Sequence, residues 1–149
     1  MAEKGMKPHG LQALAGCALA TLLAMASPAT AYDAPPIRFA PGKSQATVSG
    51  GVVRGERNVY KLVARAGQRL SLNITSLENN AVFTVYAPGA AYSTDADGMV
   101  DVSGEAIAGG HDGIATWAGK LPKTGRYLVI VGGTRGNADY KLTVSITGR

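Results

Sequence analysis

The sequence predicts an all-β fold, an antiparallel β-sandwich of jelly-roll or Greek-key type, and three observations predict it. From Tyr140 to Ile146 the apolar residues Tyr140, Leu142, Val144 and Ile146 alternate with Lys141, Thr143 and Ser145. A period of two sets these on opposite faces of a half-buried strand. From Arg126 to Val131 every position but the first is apolar, so both faces of that segment need cover. Beyond residue 31 no helical period occurs, and short extended patterns alternate with turn residues at intervals of roughly eight to twelve, the spacing of a sandwich or barrel.

Residues 1–31 read as a cleavable signal peptide. Lys4 and Lys7 give a basic start, Leu11–Ala26 is an apolar run interrupted by Gln12 and Thr21, and Ala29-Thr30-Ala31 has the small-x-small form of a peptidase site. These are the three parts of a secretory signal, and the run is short for a membrane span. Leu14-Ala15-Gly16-Cys17 has the form of a lipoprotein box. Lipid attachment needs the apolar run in front of the cysteine, and here much of it follows, including Leu22-Leu23-Ala24-Met25. Cleavage after Ala31 removes Cys17, the only cysteine, so the mature chain has no disulfide or thiol chemistry and is held by packing alone. The expected location is periplasmic or secreted, with no stable membrane insertion once the signal is removed.

Residues 32–36 form a Pro-containing lead that is expected to be mobile, and a single β-sandwich domain is expected over 37–149. Ile37–Ala40 is a candidate edge strand, and Pro41-Gly42-Lys43-Ser44 is turn chemistry. Gln45–Val53 alternates loosely, and Gly50-Gly51 within it predicts a bulge or bend. Val59–Ala64 and Arg69–Thr75 alternate, the second with Leu70, Leu72 and Ile74 facing in. Val82–Tyr86 is a short strand stopped by Pro88-Gly89. Ala90–Asp112, rich in Ala, Gly, Ser and Asp, predicts irregular structure around one or two weak strands. Ile114–Leu121 returns to a strand pattern and holds Trp117, the sole tryptophan. Leu121–Ile146 then reads as a hairpin near the centre of the sandwich, with the Gly132–Ala138 loop at one end.

Charge is segregated along the chain. Arg38–Arg69 holds seven Lys/Arg against one acid, Glu56, whereas Leu70–Gly119 holds six acids and no Lys or Arg. The expectation is a basic side and an acidic loop region, able to steer a charged partner. The basic residues have few aromatics interleaved for base stacking, so no nucleic-acid partner is expected.

No catalytic set emerges. There is no Gly-x-Ser-x-Gly elbow. His111 is the only histidine after the signal and sits in Gly109-Gly110-His111-Asp112-Gly113, a stretch expected to be too flexible to preorganise a base. Asp95-Ala96-Asp97-Gly98 with Asp101 resembles part of a calcium loop but lacks the remaining oxygen ligands. The six acids have no spacing that sets up a glycosidase pair. The chain is therefore expected to be no enzyme and to hold no metal or cofactor. Its most distinctive loop is Gly132-Gly133-Thr134-Arg135-Gly136-Asn137, where glycines permit close approach of another surface and Arg135 offers a planar fork suited to a carboxylate.

The ordered set Val-Tyr-Lys-Leu (59–62), Ala-Gly-Gln-Arg-Leu-Ser-Leu (66–72), Phe-Thr-Val-Tyr-Ala-Pro-Gly (83–89), Leu-Pro-Lys-Thr-Gly-Arg-Tyr (121–127) and Asp-Tyr-Lys-Leu-Thr-Val-Ser-Ile (139–146) resembles the bacterial pre-peptidase C-terminal-like β-sandwich. Within that group it looks most like the periplasmic inhibitors of g-type lysozyme, and residues 38–50 favour that branch. The resemblance implies a protein partner, g-type lysozyme or a related glycan hydrolase, met by loops. Those inhibitors carry a Thr-Arg pair before the final strand, matched by Thr134-Arg135. Asn137 in the same loop and the acid Asp112 are the further partner-binding candidates. In the family the loop continues with basic residues, whereas here it is cut to Gly136-Asn137-Ala138, and the acidic Ala90–Asp112 stretch also departs. The alternative is a module binding cell-envelope glycan, for which Trp117 with Tyr92 is the aromatic candidate.

Overall fold

The structure, a computed structural model, describes residues 35–148; the expected signal, its cleavage site, Cys17 and residues 32–34 of the lead lie outside the described residues. The strands are β1 (Gln45–Val52), β2 (Arg57–Ala64), β3 (Arg69–Ser76), β4 (Ala81–Tyr86), β5 (Ala91–Thr94), β6 (Val100–Ser103), β7 (Ala106–Ala108), β8 (Thr116–Lys120), β9 (Gly125–Gly133) and β10 (Ala138–Thr147). One 3-10 turn occupies Leu77–Asn79. Two four-stranded sheets run β1-β10-β3-β8 and β2-β9-β4-β7, and β5 pairs with β6 in a separate two-stranded sheet. All named strand pairs are antiparallel. Two four-stranded sheets in these orders make a jelly-roll sandwich, as the alternation predicts.

The interior follows from the period-two pattern. Leu72, Val129 and Leu142 are 1%, 0% and 0% exposed and meet in one core with Phe83, Leu62 and Tyr127. Tyr127 is wholly buried, and its hydroxyl donates to the Lys123 carbonyl at 2.5 Å and accepts from the Lys123 N–H at 3.1 Å. Its polar tip is thereby paired inside the protein.

Leu121–Ile146 is not a hairpin. β9 pairs with β2 and β4, β10 pairs with β1 and β3, and the Thr134–Asn137 loop steps from one layer to the other. Each strand is central in its own sheet. Close approach makes the step possible: a Cβ on Gly133 would lie 2.7 Å from the Gly136 carbonyl oxygen.

The apolar run of β9 has its explanation in the Ala90–Asp112 stretch. Expected to be irregular around one or two weak strands, it forms three short ones, the β5–β6 hairpin and the edge strand β7. Val59, Leu128 and Ile130 form a second buried cluster, distinct from the inter-sheet core, covered by Tyr86, Ala90, Tyr92, Val100 and Val102. The hairpin is thus a lid over the outer face of the β2-β9-β4-β7 sheet. We expect the double change Val100→Ser, Val102→Ser to remove much of this cover, at about 1–2 kcal/mol per side chain. Faster proteolysis within Asp95–Met99 and binding of an apolar dye, with the far-UV spectrum kept, check it.

Other expectations are corrected in detail. Gly50 and Gly51 make no bulge, for β1 keeps register with β10 from Gln45 to Val52. Gly50 is small because a Cβ there would lie 2.8 Å from the Tyr140 hydroxyl, which bonds Tyr60 at 2.5 Å and Asn58 Nδ2 at 2.8 Å. Pro35 and Pro36, expected in a mobile lead, lie against β2: the Lys61 N–H donates to the Pro35 carbonyl at 3.2 Å, and the Ile37 N–H donates to the Lys61 carbonyl at 2.8 Å. This contact is a bridge at Pro36 rather than an edge strand.

Candidate functional site

Register places one set of connections at one end of the sandwich. Val52 pairs with Ala138, Arg57 with Gly132, Ala81 with Gly133 and Ser76 with Tyr140. The β1–β2 turn (53–56), the β3–β4 connection (77–80) and the β9–β10 loop (134–137) therefore emerge together. The β5–β6 tip joins them, since a Cβ on Gly55 would lie 4.0 Å from Met99 Sδ.

Asn80 organises this end. It is 7% exposed, and its Nδ2 donates to the carbonyls of Arg135 at 3.2 Å and Asn137 at 2.7 Å. Its backbone carbonyl accepts from the Thr134 N–H at 2.8 Å and from Thr134 Oγ1 at 3.3 Å. Beside it, Glu78 and Asn79 hold φ of +60° and +54°, a left-handed conformation uncommon for side-chain-bearing residues. The turn aims the Glu78 carbonyl at Arg135, whose Nη2 reaches it at 3.5 Å.

The four candidates thus have different situations. Arg135 is exposed, and its backbone is held by Asn80. Thr134 is exposed, but its hydroxyl is engaged by Asn80. Asn137 Oδ1 accepts from the Arg54 N–H at 2.9 Å, so that oxygen ties the β9–β10 loop to the β1–β2 turn. Asp112 is exposed in the glycine-rich loop after β7, on the rim of a small depression shared with Arg57, Thr84, Gly132 and Gly133. The structure thereby brings Asp112 to the base of the Thr134–Arg135 loop, from 22 positions away in sequence.

That loop is not loose, as its glycines suggest in sequence. A Cβ on Gly109 would lie 2.5 Å from the Phe83 carbonyl oxygen, and one on Gly113 would lie 2.7 Å from Val82 Cγ2. The Gly113 N–H bonds the Gly109 carbonyl at 2.8 Å, Ile114 bridges Phe83, and Thr84 Oγ1 donates to the Gly110 carbonyl at 3.2 Å. The glycines let the segment lie flat on β4. Asp95 likewise has a structural task. Its Oδ1 accepts from the Asp97 N–H at 3.0 Å and the Met99 N–H at 2.8 Å, closing the hairpin tip. Among the described residues no group of three or more His, Cys, Asp and Glu is placed to hold a metal.

Two readings of the surface change. Charge sorts by pole rather than by side: Arg54, Arg57 and Arg135 stand at the loop end among Glu56, Glu78, Asp95, Asp97 and Asp112. The aromatic pair considered for glycan does not form. Trp117 packs against the inter-sheet core and Tyr92 against the separate cluster under the hairpin.

The sequence also conceals an apolar feature. Four large hydrophobics are exposed among the described residues: Val53 (52%), Leu77 (84%), Met99 (47%) and Val63 (75%). The first three stand at the loop end, on three different connections. No periodicity signals them, because each is a single residue in a polar turn. Exposed apolar residues and an exposed arginine on connections of one pole are residue types that protein-binding surfaces use.

Fold and site together define a small jelly-roll module whose elaborated surface is a cluster of loops at one end. Among solved structures, the chain is similar to the Aeromonas hydrophila periplasmic inhibitor of g-type lysozyme, with 31% identity, a TM-score of 0.60, and coverage of 76% of this chain and 96% of that one. A mutant of the Escherichia coli inhibitor aligns at 22% identity and TM-score 0.53, covering 76% and 96%. The Salmonella Typhimurium inhibitor aligns at 20% and 0.53, covering 77% and 99%; these two share the fold. No protein-family profile matches the chain, and no curated protein does. The chain belongs to the family of periplasmic inhibitors of g-type lysozyme.

Proposed function

We propose that this protein is an exported, non-catalytic inhibitor that acts in the periplasm and blocks a g-type lysozyme with its loop end. The observation that carries the reading is the exposure of Arg135, Val53, Leu77 and Met99 on connections at one pole, in a chain 31% identical to a periplasmic inhibitor of g-type lysozyme. A glycan hydrolase presents a cleft with acidic groups. Arg135 stands free of any acid partner among the described residues, and its fork suits a carboxylate. The apolar side chains exposed at the same pole would add buried area on contact with a protein. Asp112 offers the complementary charge for a basic group on the cleft wall.

The test is inhibition of goose-type lysozyme on peptidoglycan, followed by Arg135→Glu. The reversed charge is expected to weaken inhibition by about 2 kcal/mol or more, roughly thirtyfold, with the thermal midpoint unchanged. Absence of inhibition by the unaltered protein at micromolar concentration would sink the proposal. The envelope-glycan alternative loses its aromatic support, since Trp117 and Tyr92 pack on different layers.

A further inference from the structure

The pole opposite the loops has its own composition. Register brings there the start of β1, the end of β2, the start of β3, the end of β8 and the start of β9. These carry Lys43, Arg65, Arg69, Lys120 and Arg126, all exposed. Lys120 lies beside the β2–β3 turn, 3.9 Å from where a Cβ on Gly67 would stand. The acid at this pole is Glu105, and it is already paired with Lys123 at 3.1 Å; the other described acids stand on the loop end or the β5–β6 hairpin. No side-chain ion pair engages the five remaining cations among the described residues.

An apolar feature shares this pole. Val63, 75% exposed, pairs across the strands with Arg126. A cleft of about 440 Å³ is lined by Phe39, Val63, Ala64 and Ile146 together with the polar Arg65, Gln68 and Thr124. Cations around an exposed valine and half-buried Phe39 and Ile146 complement an anionic headgroup layer over hydrocarbon. A soluble polyanion would match the cations alone.

We propose that this basic pole docks the protein peripherally on a bilayer surface rich in anionic phospholipid. Because the poles are opposite, docking leaves Arg135 and its neighbours facing away from the membrane, open to a partner. The surface is separate from the one proposed for lysozyme, so either reading can fail without the other.

The experiment is co-sedimentation of the protein with vesicles of phosphatidylglycerol and phosphatidylethanolamine, against vesicles of phosphatidylcholine, at low and moderate salt. Binding to the anionic vesicles alone, weakened by salt, is expected. The triple variant Arg65→Ala, Arg69→Ala, Arg126→Ala should bind on the order of a hundredfold more weakly, at about fivefold for each cation removed. Its fold is checked by circular dichroism, and Arg135→Glu, at the far pole, should bind as before. Val63→Ser should weaken vesicle binding while leaving binding to dextran sulfate unchanged. No binding to anionic vesicles, equal binding by the triple variant, or dextran sulfate held as tightly as vesicles with Val63→Ser silent on both would overturn the proposal.

Discussion

Replacing Asn80 by aspartate is expected to destabilise the protein by about 3 kcal/mol and to abolish a defined loop end, although the two side chains have nearly the same shape. The Nδ2 group donates to two carbonyls, those of Arg135 and Asn137, from a site that is 7% exposed. Aspartate puts an acceptor against two acceptors and a charge where water has little access. Asn80→Ala removes the same bonds without the repulsion and is expected to cost less, about 2 kcal/mol. Urea denaturation measures both. The aspartate deficit should shrink in acid, because a protonated carboxyl can again donate one bond. A binding assay should show the proposed inhibition falling with Arg135 still present, since Arg135 is placed through its own backbone. An Asn80→Ala variant as stable as the unaltered protein would show that the amide's donors do not hold the loop.

Gly109→Val is expected to cost about 3–4 kcal/mol, lowering the midpoint of thermal unfolding by roughly 10–15 °C. Two independent terms add. The residue holds φ of +83°, where a β-branched side chain is strained. Its Cβ would meet the Phe83 carbonyl oxygen at 2.5 Å and Thr84 Cα at 3.0 Å, and neither backbone atom can move without disturbing β4. Gly110→Ala separates the terms: φ is +52°, but a Cβ there meets nothing within 4 Å, so only the conformational cost of about 1 kcal/mol remains. A calorimetric scan of both variants checks the difference. If Gly109→Val matches Gly110→Ala, the loop is not pressed onto β4, and the position of Asp112 is not set by that contact.

These two residues illustrate how the proposed binding surface is built. In that proposal Arg135 and Asp112 supply the charge, while Asn80 and Gly109 set the geometry. Asn80 reads in sequence as one more polar residue in a loop, and Gly109 as a source of looseness. Each has the opposite role, because the neighbour that constrains it, the β9–β10 loop for Asn80 and β4 for Gly109, is distant in the chain.

The alternation of apolar and polar residues by itself determined the all-β class and the inward faces of β2, β3 and β10. Water on one side and hydrocarbon on the other is a local demand that each strand meets on its own. The quoted turn and core segments also carried the family resemblance, and the Thr134-Arg135 pair with it. Tertiary structure alone decided which strands are neighbours, so that β9 and β10, consecutive and joined by a short loop, lie in different layers. It alone decided that the β5–β6 hairpin lids Leu128 and Ile130, that Gly50 yields to a tyrosine rather than forming a bulge, and that a basic pole stands opposite a loop end of mixed charge. Each of these depends on contacts between residues far apart in the chain, where local pattern carries no information.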